Sequence, residues 1–206
     1  MKIDLHVHSS ERSQCARATD EEQVIAAIAA GLDGFFFTDH HRLIPFEKLN
    51  MLNDRFAPFR VFRGIEITCN GEDFLVLGVS DEGLERTDWQ YPDLHQFVRA
   101  CNGFIALAHP FRYRKDIAVD CDTYRPDAVE LCSANTPVDE RARIRELAAK
   151  WNMPTLSNSD AHSTERLGTY FNILNETPPT ESAILDLLRA GRFWCQNCTA
   201  ANGEIR

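Results

Sequence analysis

Short, almost wholly apolar runs recur along this chain with helix-like stretches between them, and that alternation constrains the fold more than any other feature. Gly34-Phe-Phe-Phe-Thr38, Phe74-Leu-Val-Leu-Gly-Val79 and Phe104-Ile-Ala-Leu-Ala108 are such runs. Their length and composition suit strands buried on both faces. Residues 1–8 and 60–69 alternate with a period of two, a strand signal. A turn at residues 71–73 makes 60–79 a candidate hairpin, and 127–131 and 170–174 read as further short strands.

Helical signals fill the gaps. Thr19 or Asp20 caps a helix whose positive end suits Asp20, Glu21 and Glu22. Val24, Ile25, Ile28 and Ala29 form its apolar face, and Gly31 stops it. Residues 45–57, 92–102, 137–151 and 180–190 read as further helices. The last turns Ile184, Leu185, Leu187 and Leu188 inward, with Gly191 as its C-cap. A β-α unit repeated about seven times without a linker predicts an α/β fold with a parallel sheet, closed into a TIM-like barrel. An open doubly wound sheet is the alternative. No glycine-rich loop follows the first strand, which argues against nucleotide binding.

Composition sets the class. With 206 residues the chain is read as a single domain over 1–206, its motifs within 1–165 and a closing strand, helix and tail over 166–206. No apolar run approaches the roughly 20 residues that span a bilayer, and the N-terminus lacks signal-peptide character. A cytoplasmic, non-membrane protein is the expectation. A net charge of −9 argues against general nucleic-acid binding, but not against a small phosphorylated substrate at a metal site. Seven cysteines without framework spacing read as reduced thiols, and the lone Cys195-x-x-Cys198 as structural or incidental.

The chemistry gathers at the ends of the strands. His6 and His8 project from one strand face, about 6–7 Å apart along the backbone. His40, Glu66, His109, and Asp160 with His162 likewise fall at or just past predicted strand ends. In a β/α barrel those ends meet at one mouth, where active sites lie. Five of the seven histidines would then face two carboxylates, a donor set for divalent Zn²⁺, Mn²⁺ or Fe²⁺.

These stretches resemble the polymerase and histidinol phosphatase (PHP) superfamily. The resemblance rests on Asp4-Leu-His-Val-His8, Thr38-Asp-His40, Gly64-Ile-Glu-Ile67, Ala108-His-Pro110 and Asn158-Ser-Asp-Ala-His162, in the family's order. It implies a distorted (β/α)7 barrel that holds one to three divalent metals and cleaves phosphate esters by a metal-activated water. His6, His8, Glu66 and Asp160 are similar to the ligands of one metal, with Glu66 bridging; His40 and His162 to those of a second; His109 to one of a third. Asp39 would orient a ligand, and Arg112 would hold the substrate phosphate. His109 or His162 would protonate the leaving oxygen, so His109, Asp160, His162 and Arg112 are the expected catalytic set.

The chain also departs from the family pattern. Ser13 and Gln14, followed by Cys15, stand where members often carry a second-metal ligand, and Leu75 stands where many carry a third-metal histidine. His41 and His95 are the only histidines left to substitute. The rival readings are an amidohydrolase-type enzyme, which usually adds a carboxylated lysine, and a catalytically weakened metal-binding module. A chain this short suggests a shallow site, or an oligomer whose partner supplies a wall.

Overall fold

The apolar runs become strands of one sheet: β1 (Lys2–Val7), β2 (Gly34–Phe37), β3 (Arg60–Cys69), β4 (Glu72–Leu77), β5 (Phe104–Leu107), β6 (Ala128–Cys132), β7 (Thr155–Ser157), β8 (Phe171–Leu174) and β9 (Phe193–Gln196). The helices are α1 (Asp20–Ala29), α2 (Phe46–Phe56), α3 (Tyr91–Ala100), α4 (Arg141–Trp151) and α5 (Glu181–Arg189). These elements come from a computed structural model that describes residues 1–198. None of its helices is long and apolar enough to cross a membrane.

The sheet order is β7-β6-β5-β4-β3-β2-β1-β8-β9. Pairs β1/β2, β2/β3, β5/β6 and β6/β7 are parallel, whereas β4 runs against β3 and β5, and β8 runs against β1 and β9. The regular (β/α)7 repeat expected from the sequence is therefore replaced by seven co-directional strands, β1–β3, β5–β7 and β9, with the reversed strands β4 and β8 inserted. The hairpin over residues 60–79 is the cause of one reversal. No α-helix lies between β5 and β6 or between β7 and β8. The result is a nearly closed barrel.

Side chains join its two edges. Asn172, buried on β8, accepts from Ser157 N (3.0 Å) and donates to Ser157 O (2.8 Å). The Ser157 hydroxyl donates to Gln196 O on β9 at 2.8 Å. Asparagine's paired donor and acceptor can thus replace one rung of a backbone ladder. Strand β9, short and half-exposed, escaped the sequence reading.

The same seam corrects the reading of the cysteines as reduced. Cys132, at the end of β6, forms a disulfide with Cys198 just past β9. Their Cα atoms are 5.9 Å apart, within disulfide reach, although 66 positions separate them in sequence. The sheet, not any local spacing, brings them together. Cys15, Cys69, Cys101, Cys121 and Cys195 are free.

Most strands are buried on both faces, as their composition requires. Phe74, Val76, Ile105 and Leu107 pack under Tyr91, Leu94 and Val98 of α3 and Ile144 and Trp151 of α4. The alternate residues Leu75, Leu77, Phe104 and Ala106 pack with Ile184, Leu185 and Leu188 of α5. Phe35 and Phe37 pack under Val24 and Ala27 of α1 and Leu52 of α2.

Helix α1 is capped by Thr19, whose hydroxyl accepts from Glu22 N, with the Glu22 carboxylate accepting from Thr19 N in return. Its inward face differs from the expected one. Val24 and Ala27 are buried with Asp20 and Gln23, whereas Ile25 and Ile28 face solvent. The rotation follows from Gln23, whose amide donates to His8 O (2.7 Å) and Ala161 O (3.2 Å), tying α1 to the barrel mouth.

Candidate metal centre

Strand direction decides which residues reach the mouth. β1 ends at His6 and His8, β2 leads to His40, β3 carries Glu66, β5 leads to His109, and β7 leads to Asp160 and His162. The structure brings all seven together. His6 Nε2 lies 3.4 Å from Glu66 Oε1 and 3.3 Å from Asp160 Oδ1. His8 Nε2 lies 3.4 Å from Glu66 Oε2 and 3.2 Å from Asp160 Oδ1. His40 Nδ1 is 2.8 Å from Glu66 Oε2, His109 Nε2 is 3.1 Å from Glu66 Oε1, and His162 Nδ1 is 3.3 Å from Asp160 Oδ1. Arg112 Nη1 stands 3.8 Å from Asp160 Oδ2.

Four atoms in this cluster are buried without a hydrogen-bond partner among the described residues: His6 Nε2, His8 Nε2, Glu66 Oε2 and Asp160 Oδ1. Each such atom costs about 1–3 kcal/mol unless something satisfies it. They face one another, and a divalent cation between them would satisfy them together. The donor set divides into overlapping groups of three, each with ligand atoms within 4.8 Å: His6, His8 and Glu66; His6, His109 and Asp160; His8, His40 and His162; and Glu66, Asp73 and His109.

Surrounding groups fix the imidazoles. His6 Nδ1 faces Glu130 Oε1 at 3.1 Å, and a carboxylate can only accept, so in the neutral ring Nδ1 holds the proton and leaves the Nε2 lone pair for a metal. The buried Glu130 also accepts from His109 N (3.0 Å) and Asn158 Nδ2 (2.8 Å). Ser13 Oγ donates to Asp39 Oδ1 at 2.6 Å and accepts from His40 N at 3.2 Å, with His8 Nδ1 at 3.4 Å. Asp39 is itself held by Ser9 N (2.7 Å) and Arg12 Nε (2.8 Å). Position 13, where a ligand was missing, thus holds a serine that links Asp39 to His8 and His40. Gln14 is exposed.

Protonation reflects the crowding of carboxylates. Burial alone would push the His6 imidazole down, but facing Asp160, Glu66 and Glu130 hold it well above its ordinary value. Burial would raise Glu66 and Asp160, yet His6 and the neighbouring imidazoles hold both well below the usual carboxylate range. Asp4, fully buried, is pushed up to about 7 by burial while it accepts from His6 N and Ser159 N. Burial and the nearby His8 lower His162, whose Nδ1 faces the Asp160 carbonyl at 3.1 Å.

Two residues at the site were missed by the sequence reading. Asp73 lies 3.9 Å by Oδ2 from His109 Nδ1 and accepts from Thr68 Oγ1 at 2.5 Å. It reaches the mouth because β4 is antiparallel, so the start of that strand, not its end, lies there. Glu130 was hidden in a run read only as a short strand. His41 and His95 stand outside the site, turned to Arg86 O (3.3 Å) and Arg125 O (2.9 Å). His109 and Asp160 adopt positive φ, 23° and 51°, a conformation that costs about 1–3 kcal/mol for a non-glycine residue and is typical of functional sites.

Comparison with known proteins adds to this geometry. The PHP-associated family model matches residues 139–193. No curated protein matches the chain. Among solved structures, a two-domain protein from Bacteroides vulgatus, described as containing a predicted PHP-like metal-dependent phosphoesterase, aligns with TM-score 0.71 and 16% identity over 95% of this chain and 64% of its own. The chain therefore spans a little under two thirds of that protein. PsfC from Pseudomonas syringae aligns with TM-score 0.67 and 18% identity over 88% of this chain and 86% of its own. An amidohydrolase from Chromobacterium violaceum, with sulfate bound and no metal, aligns with TM-score 0.64 and 15% identity over 94% and 98%. At these identities the likeness is one of fold. The chain thus shares the fold of PHP-like proteins and carries a PHP-associated segment over residues 139–193.

Proposed function

We propose that the protein is a metal-dependent hydrolase of phosphate esters. The observation that carries this reading is the set of four buried, unpartnered atoms of His6, His8, Glu66 and Asp160, which face one another at the barrel mouth. Nitrogen and carboxylate donors in this arrangement fit a divalent ion such as Mn²⁺, Zn²⁺ or Fe²⁺. His6, His8, Glu66 and Asp160 hold one ion in this reading, and His40 and His162, with His8 beside them, a second. Glu66, Asp73 and His109 form a third candidate group. When bound, divalent cations lower the pKa of water toward neutrality and offset the charge of phosphoryl oxygens.

The chain's own residues supply the rest. Arg112, half-buried beside Asp160, binds the oxygens of the reacting phosphate as a fork donor. Glu130 and Ser13 keep the Nδ1 protons of His6 and His8, so both rings present Nε2 to the site. Of the two histidines considered as proton donors, His162 is held low and offers a lone pair at neutral pH. His109 is held above its ordinary value: burial alone would lower it, but Glu66 and Asp160 win. Where the third group holds no ion, His109, with Nε2 3.1 Å from Glu66 Oε1, is the proton donor to the leaving oxygen in this reading.

The Chromobacterium violaceum neighbour keeps an amidohydrolase reading in view. Against it, Lys48 and Lys150 pair with Glu11 and Asp122, and strands β2–β9 carry no lysine. The test is a panel of phosphomonoesters, phosphodiesters, amides and lactones offered to protein loaded with Mn²⁺ or Zn²⁺. Turnover of phosphate esters alone supports the proposal. Turnover of amides or lactones alone would replace it, and none at all would leave a metal-binding module.

A further inference from the structure

A cavity of about 400 Å³ opens beside the centre, with Arg17, Arg112, Asn135, Asp160, His162 and Arg166 in its wall. That volume suits a small organic molecule, and is larger than one phosphate needs. Asp160 is the only carboxylate in the wall, against three guanidinium groups. Such a concentration of positive charge is notable in a chain of net charge −9.

Arg17 and Arg166 differ from the other arginines. Among the described residues, every other arginine has a polar partner within 4.0 Å. The exposed side chains of Arg17 and Arg166 have none that close; the carboxylate they act on is the adjacent Glu165, which Ser163 also engages. Both arginines are nonetheless anchored to the reaction centre through the backbone. Arg17 N donates to His162 O at 2.8 Å, and Arg166 closes the short 3-10 turn Thr164–Arg166 that follows His162. Two guanidinium groups without a close ion pair thus flank His162, while Arg112 stands beside Asp160.

We infer that the substrate is a small phosphate ester carrying a second phosphate, held by Arg17 and Arg166 while Arg112 binds the phosphate that reacts. This rests on the phosphoesterase reading. A guanidinium fork matches phosphate geometry, and a cation without a close ion pair breaks no short contact when the anion arrives.

The test compares compounds that differ only in the second anion. On the metal-loaded full chain, kcat/KM is measured for 3-hydroxypropyl phosphate and 1,3-propanediol bisphosphate, and for the pair built on 1,5-pentanediol. A charge-assisted bidentate contact predicts a preference of about tenfold or more for the bisphosphate in at least one pair, beyond the statistical factor of about two. In R17A/R166A that ratio falls to about two, whereas Arg42→Ala, at an exposed ion pair with Glu85, leaves it unchanged. A parent ratio near two in both pairs, or a ratio indifferent to R17A/R166A, overturns the inference and leaves the phosphoesterase reading standing. If no ester is turned over, that reading fails, and calorimetric binding of the same compounds tests the subsite alone. Bisphosphate binding about tenfold tighter than the monophosphate and lost in R17A/R166A upholds it, and equal affinities reject it.

Discussion

Glu130 offers a sharp test because three donors converge on its two oxygens. His6 Nδ1 lies 3.1 Å and Asn158 Nδ2 2.8 Å from Oε1, and His109 N lies 3.0 Å from Oε2. Glu130→Gln keeps the shape but turns one acceptor into a donor. If the amide nitrogen faces His109, a buried backbone N–H loses its partner, a cost of about 1–3 kcal/mol. If it faces His6, the ring can restore a hydrogen bond only by moving its proton to Nε2, the atom aimed at the metal. Either way His6 loses its contact with a full carboxylate charge. Loss of such an orienting partner weakens metal affinity by about 10–100-fold, which is about 1.4–2.8 kcal/mol. The assay is calorimetric titration with Mn²⁺ or Zn²⁺ against a competing chelator, with ¹⁵N NMR of the His6 ring to read its tautomer. A Glu130→Gln protein that binds metal within about twofold of the parent, its His6 tautomer unchanged, would refute the reasoning.

Three further outcomes follow from other parts of the structure. Asp73→Asn should reduce bound metal in protein purified without chelator, read by elemental analysis; unchanged content would remove Asp73 from the site. Cys132→Ser should lower stability by up to about 4 kcal/mol, the loop-entropy value for a crosslink of this span, and an unchanged Tm would reject the disulfide as a brace of the seam. Burial pushes the Glu181 carboxyl from 4.5 up to about 7, so folding favours its protonated form. Its contribution is full below about pH 4.5 and is lost as pH rises to 7, by up to about 3 kcal/mol before discounting for its partial exposure. Urea midpoints at pH 5 and pH 8 should therefore converge in Glu181→Gln relative to the parent, and parallel pH dependence in the two proteins would contradict this.

The residues most legible in the sequence are those where strand period and side-chain chemistry coincide. His6 and His8 share a strand face, and His40, His109 and Asp160 end apolar runs, so a barrel of co-directional strands was enough to gather them. Asp73 was missed because the same reasoning looks only at the C-terminal ends of strands, and β4 enters the mouth by its beginning. Recognising 60–79 as a hairpin already held that information, since a hairpin reverses direction. Glu130 carried no local signal: the one carboxylate within β6 shows its importance only once His6 and Asn158 arrive from distant parts of the chain. The inward face of α1 was misjudged because apolarity favoured Ile25 and Ile28, while the structure spends that face on Gln23 and its two backbone bonds at the mouth. The Cys132–Cys198 pair and the side-chain seam through Asn172 depend on barrel closure, which no spacing along the chain encodes.

The account turns on whether the histidines and carboxylates at the mouth form a working metal centre. The direct measurement is metal content per chain on protein purified without chelator, joined to p-nitrophenyl phosphate turnover with added Mn²⁺ or Zn²⁺, for the parent and for His8→Ala and Asp160→Ala. The account predicts at least two equivalents of metal and turnover in the parent, with both falling in each variant. One equivalent or none, without turnover, would contradict it and leave the barrel mouth as a binding module.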